Sequence, residues 1–313
     1  MTLGVHALDG KTPQAEFWID DVLTPFDVYR HGVEQVIAQR RTAFQEMQVV
    51  RVGPYGKALV LDGKWQSCTG DEFLYHEPLV HVACVHHGAP ETVLILGGGE
   101  GATAREALRW KSVQRVVMVD IDVEVIEACR AHLPEMHRGA FDDPRTDLVI
   151  GDAMQYLEDA ASSGKRFDVI VSDLSDPIEH GPSVKLFTRE AFASCHRVLA
   201  PGGSFVVQAG PISPAEMALH VRLVNTLGVE FEHVLSFGSH PPTFATPWGF
   251  ALGSDKRIDR RPDPAVIDDL LTEQTSGGFR MFDGQALLGL LNGPRHIREA
   301  IDAERAGGLG SGV

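Results

Sequence analysis

From Glu91 onward the chain repeats one unit, a short apolar run followed by a segment of helical length. The runs are Val93–Leu96, Val116–Val119, Leu148–Ile150, Val169–Ser172 and Phe205–Gln208. Uninterrupted apolar runs suit strands covered on both faces, because a strand wetted on one side alternates polar with apolar residues. The segments Thr103–Trp110, Val123–Leu133 and Met154–Ala161 predict the crossover helices between them. Pro201-Gly202-Gly203 breaks the chain before the fifth run, and apolar runs near Phe231–Phe237 and Trp248–Gly253 predict a closing hairpin. The expected fold is therefore α/β, a doubly wound parallel sheet over residues 71–262.

The flanks read differently. Pro25 to Gln39 predicts a first helix. Phe44–Val52, Ala58–Leu61 and Trp65–Ser67 predict short strands separated by the turn signals Gly53-Pro54-Tyr55-Gly56 and Asp62-Gly63. Residues 1–70 should then form an N-terminal helix plus a small antiparallel β unit. Asp71 is placed to cap a helix from Glu72 to Val85. Residues 263–313 predict a helical extension, centred on Gln285–Arg305, with a flexible tail.

Gly97-Gly98-Gly99-Glu100-Gly101-Ala102 follows the first apolar run and precedes a helix. Such a loop lets a ligand approach the backbone closely, and it serves several nucleotide chemistries. Asp120, at the end of the next run, is positioned to accept hydrogen bonds from ribose hydroxyls. The acids narrow the choice. Four successive predicted strands end at or beside a carboxylate: Glu100, Asp120, Asp152 and Asp173, with Asp176 close behind. In an open α/β sheet the ligand crevice lies beyond the carboxyl ends of the strands, so these acids should share one cleft. Acids also cap helices, which is the bland reading of each taken singly. A carboxylate inside the glycine loop repels the diphosphate that such a loop otherwise holds. It equally repels the carboxylate of S-adenosylmethionine, yet attracts a bare ammonium. The cleft reads as one for an adenosine sulfonium and amines.

The remaining composition sets limits. A net charge of -15 argues against a nucleic-acid or anionic-membrane partner. No apolar run approaches the roughly 18 residues that span a bilayer, and Met1–Lys11 lacks the features of a signal peptide, so a cytoplasmic location is expected. Cys68, Cys84, Cys129 and Cys195 form no paired motif and read as buried small hydrophobes. His76-Glu77 and His81 miss the zinc-protease spacing: positions i and i+5 lie about 140° apart on a helix. No metal site is expected.

Several motifs together resemble the spermidine synthase family: Asp71-Glu72-Phe73-Leu74-Tyr75-His76-Glu77, the Gly97–Gly101 loop, Phe141-Asp142-Asp143-Pro144-Arg145, and Asp173-Leu174-Ser175-Asp176-Pro177. Their order and spacing hold from about Phe44 to Ser254. The resemblance implies a Rossmann-like fold of the class I S-adenosylmethionine-dependent transferase type and a homodimer or homotetramer. It implies a polyamine aminopropyltransferase, with decarboxylated S-adenosylmethionine as co-substrate and no metal. It places Gln45, Gln66, Gly97, Gly99, Glu100, Asp120, Asp152, Ala153 and Pro182 at the donor. Tyr75, His76, Glu100, Asp173, Asp176, Gln208, Phe244 and Trp248 fall at the acceptor, with Asp173 as proton acceptor. The chain departs from the common bacterial pattern in Asp176-Pro177-Ile178-Glu179-His180-Gly181-Pro182, which is longer, and in Phe244, where a tyrosine is frequent. In these stretches it is more similar to thermospermine synthases, which points to an acceptor longer than putrescine, such as spermidine or agmatine. Rival readings are a methyltransferase using intact S-adenosylmethionine, an NAD-dependent dehydrogenase and a non-catalytic polyamine-binding homologue. The first two do not explain the acidic loop, and the third does not explain the retained Asp173/Asp176 pair.

Overall fold

The computed structural model describes Ala15, residues 17–177, Gly181 and residues 183–307. Among the described residues the N-terminal part is built of β-strands, with one 3-10 turn at Gly53–Tyr55. Strands β1 (Phe17–Thr24) and β2 (Asp27–Val33) form a hairpin, and β3 (Gln35–Arg41), β4 (Glu46–Val52), β5 (Gly56–Leu61) and β6 (Lys64–Cys68) form a four-stranded antiparallel meander. This corrects the expected helix over Pro25–Gln39. Its apolar spacing fits either period over so short a stretch, but Val28, Tyr29, Val33, Val36 and Ile37 are β-formers. Pro25 sits in the Thr24–Asp27 turn, where the Thr24 hydroxyl bonds the Asp27 carboxylate at 2.6 Å.

Helix α1 (Phe73–His87) leads into the main sheet. Its expected cap does not form: the Asp71 carboxylate instead accepts hydrogen bonds from the Thr243 amide (2.8 Å) and hydroxyl (3.0 Å). That contact ties the start of α1 to a turn 172 residues away. The sheet runs β7 (Thr92–Gly97), α2 (Ala102–Leu108), β8 (Arg115–Asp120), α3 (Val123–His132), α4 (Pro134–His137), β9 (Thr146–Ile150), α5 (Ala153–Ser162) and β10 (Phe167–Asp173). It continues with α6 (Arg189–Arg197), β11 (Leu199–Pro211), α7 (Ala218–Glu230), β12 (His233–Ser239) and β13 (Trp248–Ser254). The strand order is β12-β13-β11-β10-β7-β8-β9, with β11, β10, β7, β8 and β9 parallel and β13 antiparallel to both its neighbours. The expected doubly wound sheet and its closing hairpin are present. Pro201-Gly202-Gly203 marks a register shift inside β11 rather than its start.

The strand order reverses between β7 and β10, so the crevice at this switch point lies at Gly97 and Asp173, which are paired in register. Apolar residues from both sheet faces, among them Ile95, Met118 and Val171 on one side and Leu94, Val117 and Phe205 on the other, build the two cores that hold the strands in place. Helices α8 (Pro264–Gln274), α9 (Gly284–Leu290) and α10 (Arg295–Ala306) complete the described chain. The Glu77 carboxylate on α1 accepts from the backbone amides of Arg280, Met281 and Phe282 at 2.8–2.9 Å, which anchors this segment to the main sheet. Among the described residues, no helix is long and apolar enough to cross a membrane.

Candidate active site

The carboxyl ends of the parallel strands open into a cavity of about 860 Å³. Its walls include Gln45 and Gln66 from the meander, Gly97 and Gly99 from the glycine loop, and Tyr75 from α1. The four strand-end acids Glu100, Asp120, Asp152 and Asp173 share it, with Ala153 beside Asp152. Parallel strands have one common carboxyl edge, so residues that end each strand in sequence converge in space. The glycines are required locally. Gly101 sits at φ +79°, and a Cβ there would meet His137 and Phe141 at 2.7 Å.

A second cavity of about 570 Å³ lies beside the first, lined by Asp176, Phe244 and Trp248 together with Asp21, Lys64, Trp65 and Glu216. The chain leaving β10 runs between them: Asp173, Leu174 and Ser175 face the first cavity and Asp176 faces the second. Two expected residues line neither. Gln208, 1% exposed, donates to Asp176 Oδ1 (3.2 Å) and accepts from the Trp248 indole (3.0 Å), so it holds two groups of the second cavity. His76 is wholly buried, with Nδ1 on Glu72 Oε2 (2.9 Å) and Nε2 on Glu100 Oε1 (3.1 Å). Pro182, and Ile178, Glu179 and His180 of the long loop, lie outside the described residues.

The acids divide into two electrostatic kinds. Behind the glycine loop, Arg105 bonds Glu72 and Glu106 at 2.7 Å each, and His81 joins Glu106 (2.9 Å) to the Trp110 indole (3.1 Å). Burial alone would lower the His76 pKa, but the hydrogen bonds and charges of Glu100 and Glu72 outweigh it and push it up to about 10. Burial works against Glu100 ionising, and the adjacent His76 imidazolium overcomes this and holds it below the usual carboxylate range. Glu100 is thus a dependable anion at the cleft floor.

Asp120, Asp173 and Asp176 carry no such cationic partner. Burial raises Asp120 to about 6, and burial likewise raises Asp176 to about 6. Burial and the Glu100 charge raise Asp173. Its two oxygens accept from the Tyr75 hydroxyl (2.9 Å) and the Thr103 hydroxyl (2.5 Å). Burial, then the Asp173 charge, keeps the Tyr75 phenol protonated, with its pKa well above 10. Asp152 does cap α5, accepting from the Met154 amide at 2.8 Å, while its other oxygen pairs with Lys185. Asp122 rather than Asp120 caps α3, and Gln45 donates to Asp122 at 3.0 Å.

Sequence reasoning missed Thr103, Lys185, Asp21, Lys64, Glu216 and the Glu72–Arg105–Glu106 chain. Arg105-Glu106 in the helix after the glycine loop was a usable signal, since neighbouring opposite charges inside an otherwise apolar helix point to a buried pair. Nothing local marks the others.

The model of the spermine/spermidine synthase domain matches residues 72–261, from the start of α1 to just past β13. The chain belongs to that family. A polyamine aminopropyltransferase of Synechococcus sp. is 49% identical, covering 94% of this chain and 96% of its own length. One of Aeropyrum pernix is 47% identical, covering 92% and 91%. The crystal structure of a spermidine synthase in complex with the transition-state analogue AdoDATO superposes with a TM-score of 0.84 at 25% identity, covering 93% of this chain and 97% of that one. As a family member the enzyme is an aminopropyltransferase that uses decarboxylated S-adenosylmethionine as co-substrate and an amine as acceptor.

Proposed function

We propose that the first cavity holds the donor, the second holds a polyamine longer than putrescine, and Asp173 is the proton acceptor at their junction. The observation that carries this is the division of Asp173–Asp176 between the two cavities. Asp120 and Gln45 stand at the ribose end, Asp152 and Ala153 at the adenine end, with Gln66, Gly97 and Gly99 along the donor. Glu100 bonds the aminopropyl ammonium, and His76 acts through Glu100 by keeping it charged. His76, Glu100 and Asp173 offer atoms within 4.8 Å of one another. A protonated imidazole has no lone pair for a metal, so this trio suits an ammonium better than a cation that needs ligands.

In the reaction the acceptor nitrogen forms a bond to the propyl carbon beside sulfur, and the carbon–sulfur bond breaks with its electron pair left on sulfur. The amine must first lose a proton. A primary alkylamine resembles lysine, so presenting it neutral at pH 7 costs about 4–5 kcal/mol. Asp173 takes that proton. In-line holding of two reactants contributes up to about 7–11 kcal/mol, which outweighs that cost. Asp176, aimed by Gln208, holds the acceptor, and Phe244 and Trp248 wall its methylenes, their ring centroids 5.0 Å apart, while Tyr75, expected with them, lines the first cavity instead. Phe244 offers no hydroxyl to the far amine of a short diamine, whereas Glu216, bonded by the Ser213 (2.6 Å) and Thr246 (3.0 Å) hydroxyls, offers a fixed carboxylate to a longer one.

The same reading includes a homodimer or homotetramer and a cytoplasmic location. The hairpin supports the first, since Trp18, Val22, Phe26 and Val28 are exposed on it. Four free, buried cysteines suit a reducing compartment. The test is to incubate the enzyme with the decarboxylated co-substrate and equimolar putrescine, cadaverine, agmatine, spermidine and spermine, then weigh the products by mass spectrometry. Products from spermidine or agmatine should dominate. Dominance of the putrescine product would defeat the acceptor assignment.

A further inference from the structure

One side chain in the acceptor cavity already has the chemistry of a substrate. Lys64, at the start of β6, ends in a primary ammonium on a four-carbon chain, and it lines the second cavity alongside Asp176 and Trp248. Its Nζ donates to Asp21 Oδ1 at 2.5 Å and to the Val22 carbonyl at 3.0 Å. The two partners differ in burial: the Asp21 side chain is 10% exposed and that of Lys64 38%. Lysine can therefore swing its head into water at little cost, while Asp21 left behind needs another cation.

We propose that Lys64 is a built-in competitor for the far ammonium of the acceptor and thereby sets which polyamine the enzyme prefers. This rests on the acceptor reading above. A long polyamine reaches past Asp176 and displaces Lys64 from Asp21, replacing one alkylammonium with another. A short diamine ends before Asp21, leaves the Lys64–Asp21 pair in place and meets a resident positive charge. The cavity's charge balance allows this exchange. Asp21, Asp176 and Glu216 face it with Lys64 as the one basic side chain among the described residues lining it. Asp176 and Glu216 are held by neutral donors, Gln208 for the first and Ser213 and Thr246 for the second. The positive charge of Lys64 also acts on Asp176, lowering its pKa against the effect of burial.

The experiment measures kcat and KM separately for spermidine and putrescine with the wild type, Lys64→Gln, Lys64→Arg and Asp21→Asn. With Lys64→Gln, KM for spermidine should fall about tenfold, the low end of what one charge-assisted hydrogen bond is worth, and more than KM for putrescine. Lys64→Arg should keep the wild-type ratio of kcat/KM between the two amines, because it keeps the charge. Asp21→Asn should raise KM for spermidine by a similar factor. An unchanged ratio in Lys64→Gln, or an equal loss for both amines, would overturn the proposal. The acceptor reading fails separately: wild type preferring putrescine defeats it, while the direction of the Lys64→Gln shift still decides the role of Lys64.

Discussion

The two cavities surround their carboxylates in opposite ways. In the first cavity Glu100 is kept ionised by a buried chain of charges running through His76, Glu72, Arg105 and Glu106. In the second, Asp176 is aimed by a neutral amide, and the cavity's cation is a half-exposed lysine. On the donor and acceptor assignment proposed above, the donor is the fixed partner of the reaction, and a rigid, fully charged anchor suits it. On the same assignment, a cation that can be exchanged suits the acceptor.

The largest expected effect tests the junction of the two. Asp173→Asn should cut turnover by about 10²–10⁴-fold while calorimetric donor affinity changes far less. Activity should recover in part as pH rises, because the acceptor then arrives deprotonated. Full turnover at pH 7 in that variant would remove Asp173 from its role and leave the two cavities without a shared base.

The rigidity of the donor side is tested next. Arg105→Met leaves Glu72 and Glu106 buried with fewer partners, a kind of change that typically costs about 3–5 kcal/mol. Chemical denaturation should show that loss, and the midpoint of the pH profile assigned to Glu100 should move upward. If stability drops by less than a tenth of that, the buried chain is not what fixes the donor side.

Donor selection is a smaller effect. A charge-assisted hydrogen bond from Glu100 to the aminopropyl ammonium is worth about 1.5–3 kcal/mol. Glu100→Gln should narrow the affinity gap between decarboxylated and intact S-adenosylmethionine by that amount, since the variant neither attracts the ammonium nor repels the carboxylate. An identical gap by calorimetry would place selectivity elsewhere.

The smallest effect concerns the unpaired acids. A carboxyl raised to about 6 holds more protons folded than unfolded between about pH 4 and pH 6. Stability contributed by Asp120 and Asp176 therefore falls as pH rises through that window, and the penalty is complete above it. Asp120→Asn should raise the Tm of the ligand-free enzyme at pH 7 by about 2–4 °C and have no such effect at pH 4. A Tm gain of equal size at both values would show that charge is not the cause.

The catalytic sheet was legible because its information is local. Each apolar run marks a strand, each strand ends at its own acid, and a parallel sheet gathers those ends at one edge without further instruction. Glu100, Asp120, Asp152 and Asp173 could thus be assigned to one cleft from their positions in the chain alone. Residues 25–39 fit two periods, and pairing realises the β one: Val22 opposite Val28 in the hairpin and Gln39 opposite Gln48 in the meander. The second cavity lies beyond sequence reading for the same reason. Asp21, Lys64, Asp176, Glu216 and Trp248 come from five separate segments, and their meeting depends on how the meander packs on the sheet. Protonation of His76 is likewise a tertiary fact: one turn of helix supplies Glu72, but the second carboxylate that tips the balance comes from the glycine loop 24 residues away. Local periodicity determined the strands and the acids at their ends, whereas long-range packing decided which of those acids are paired and which stand bare.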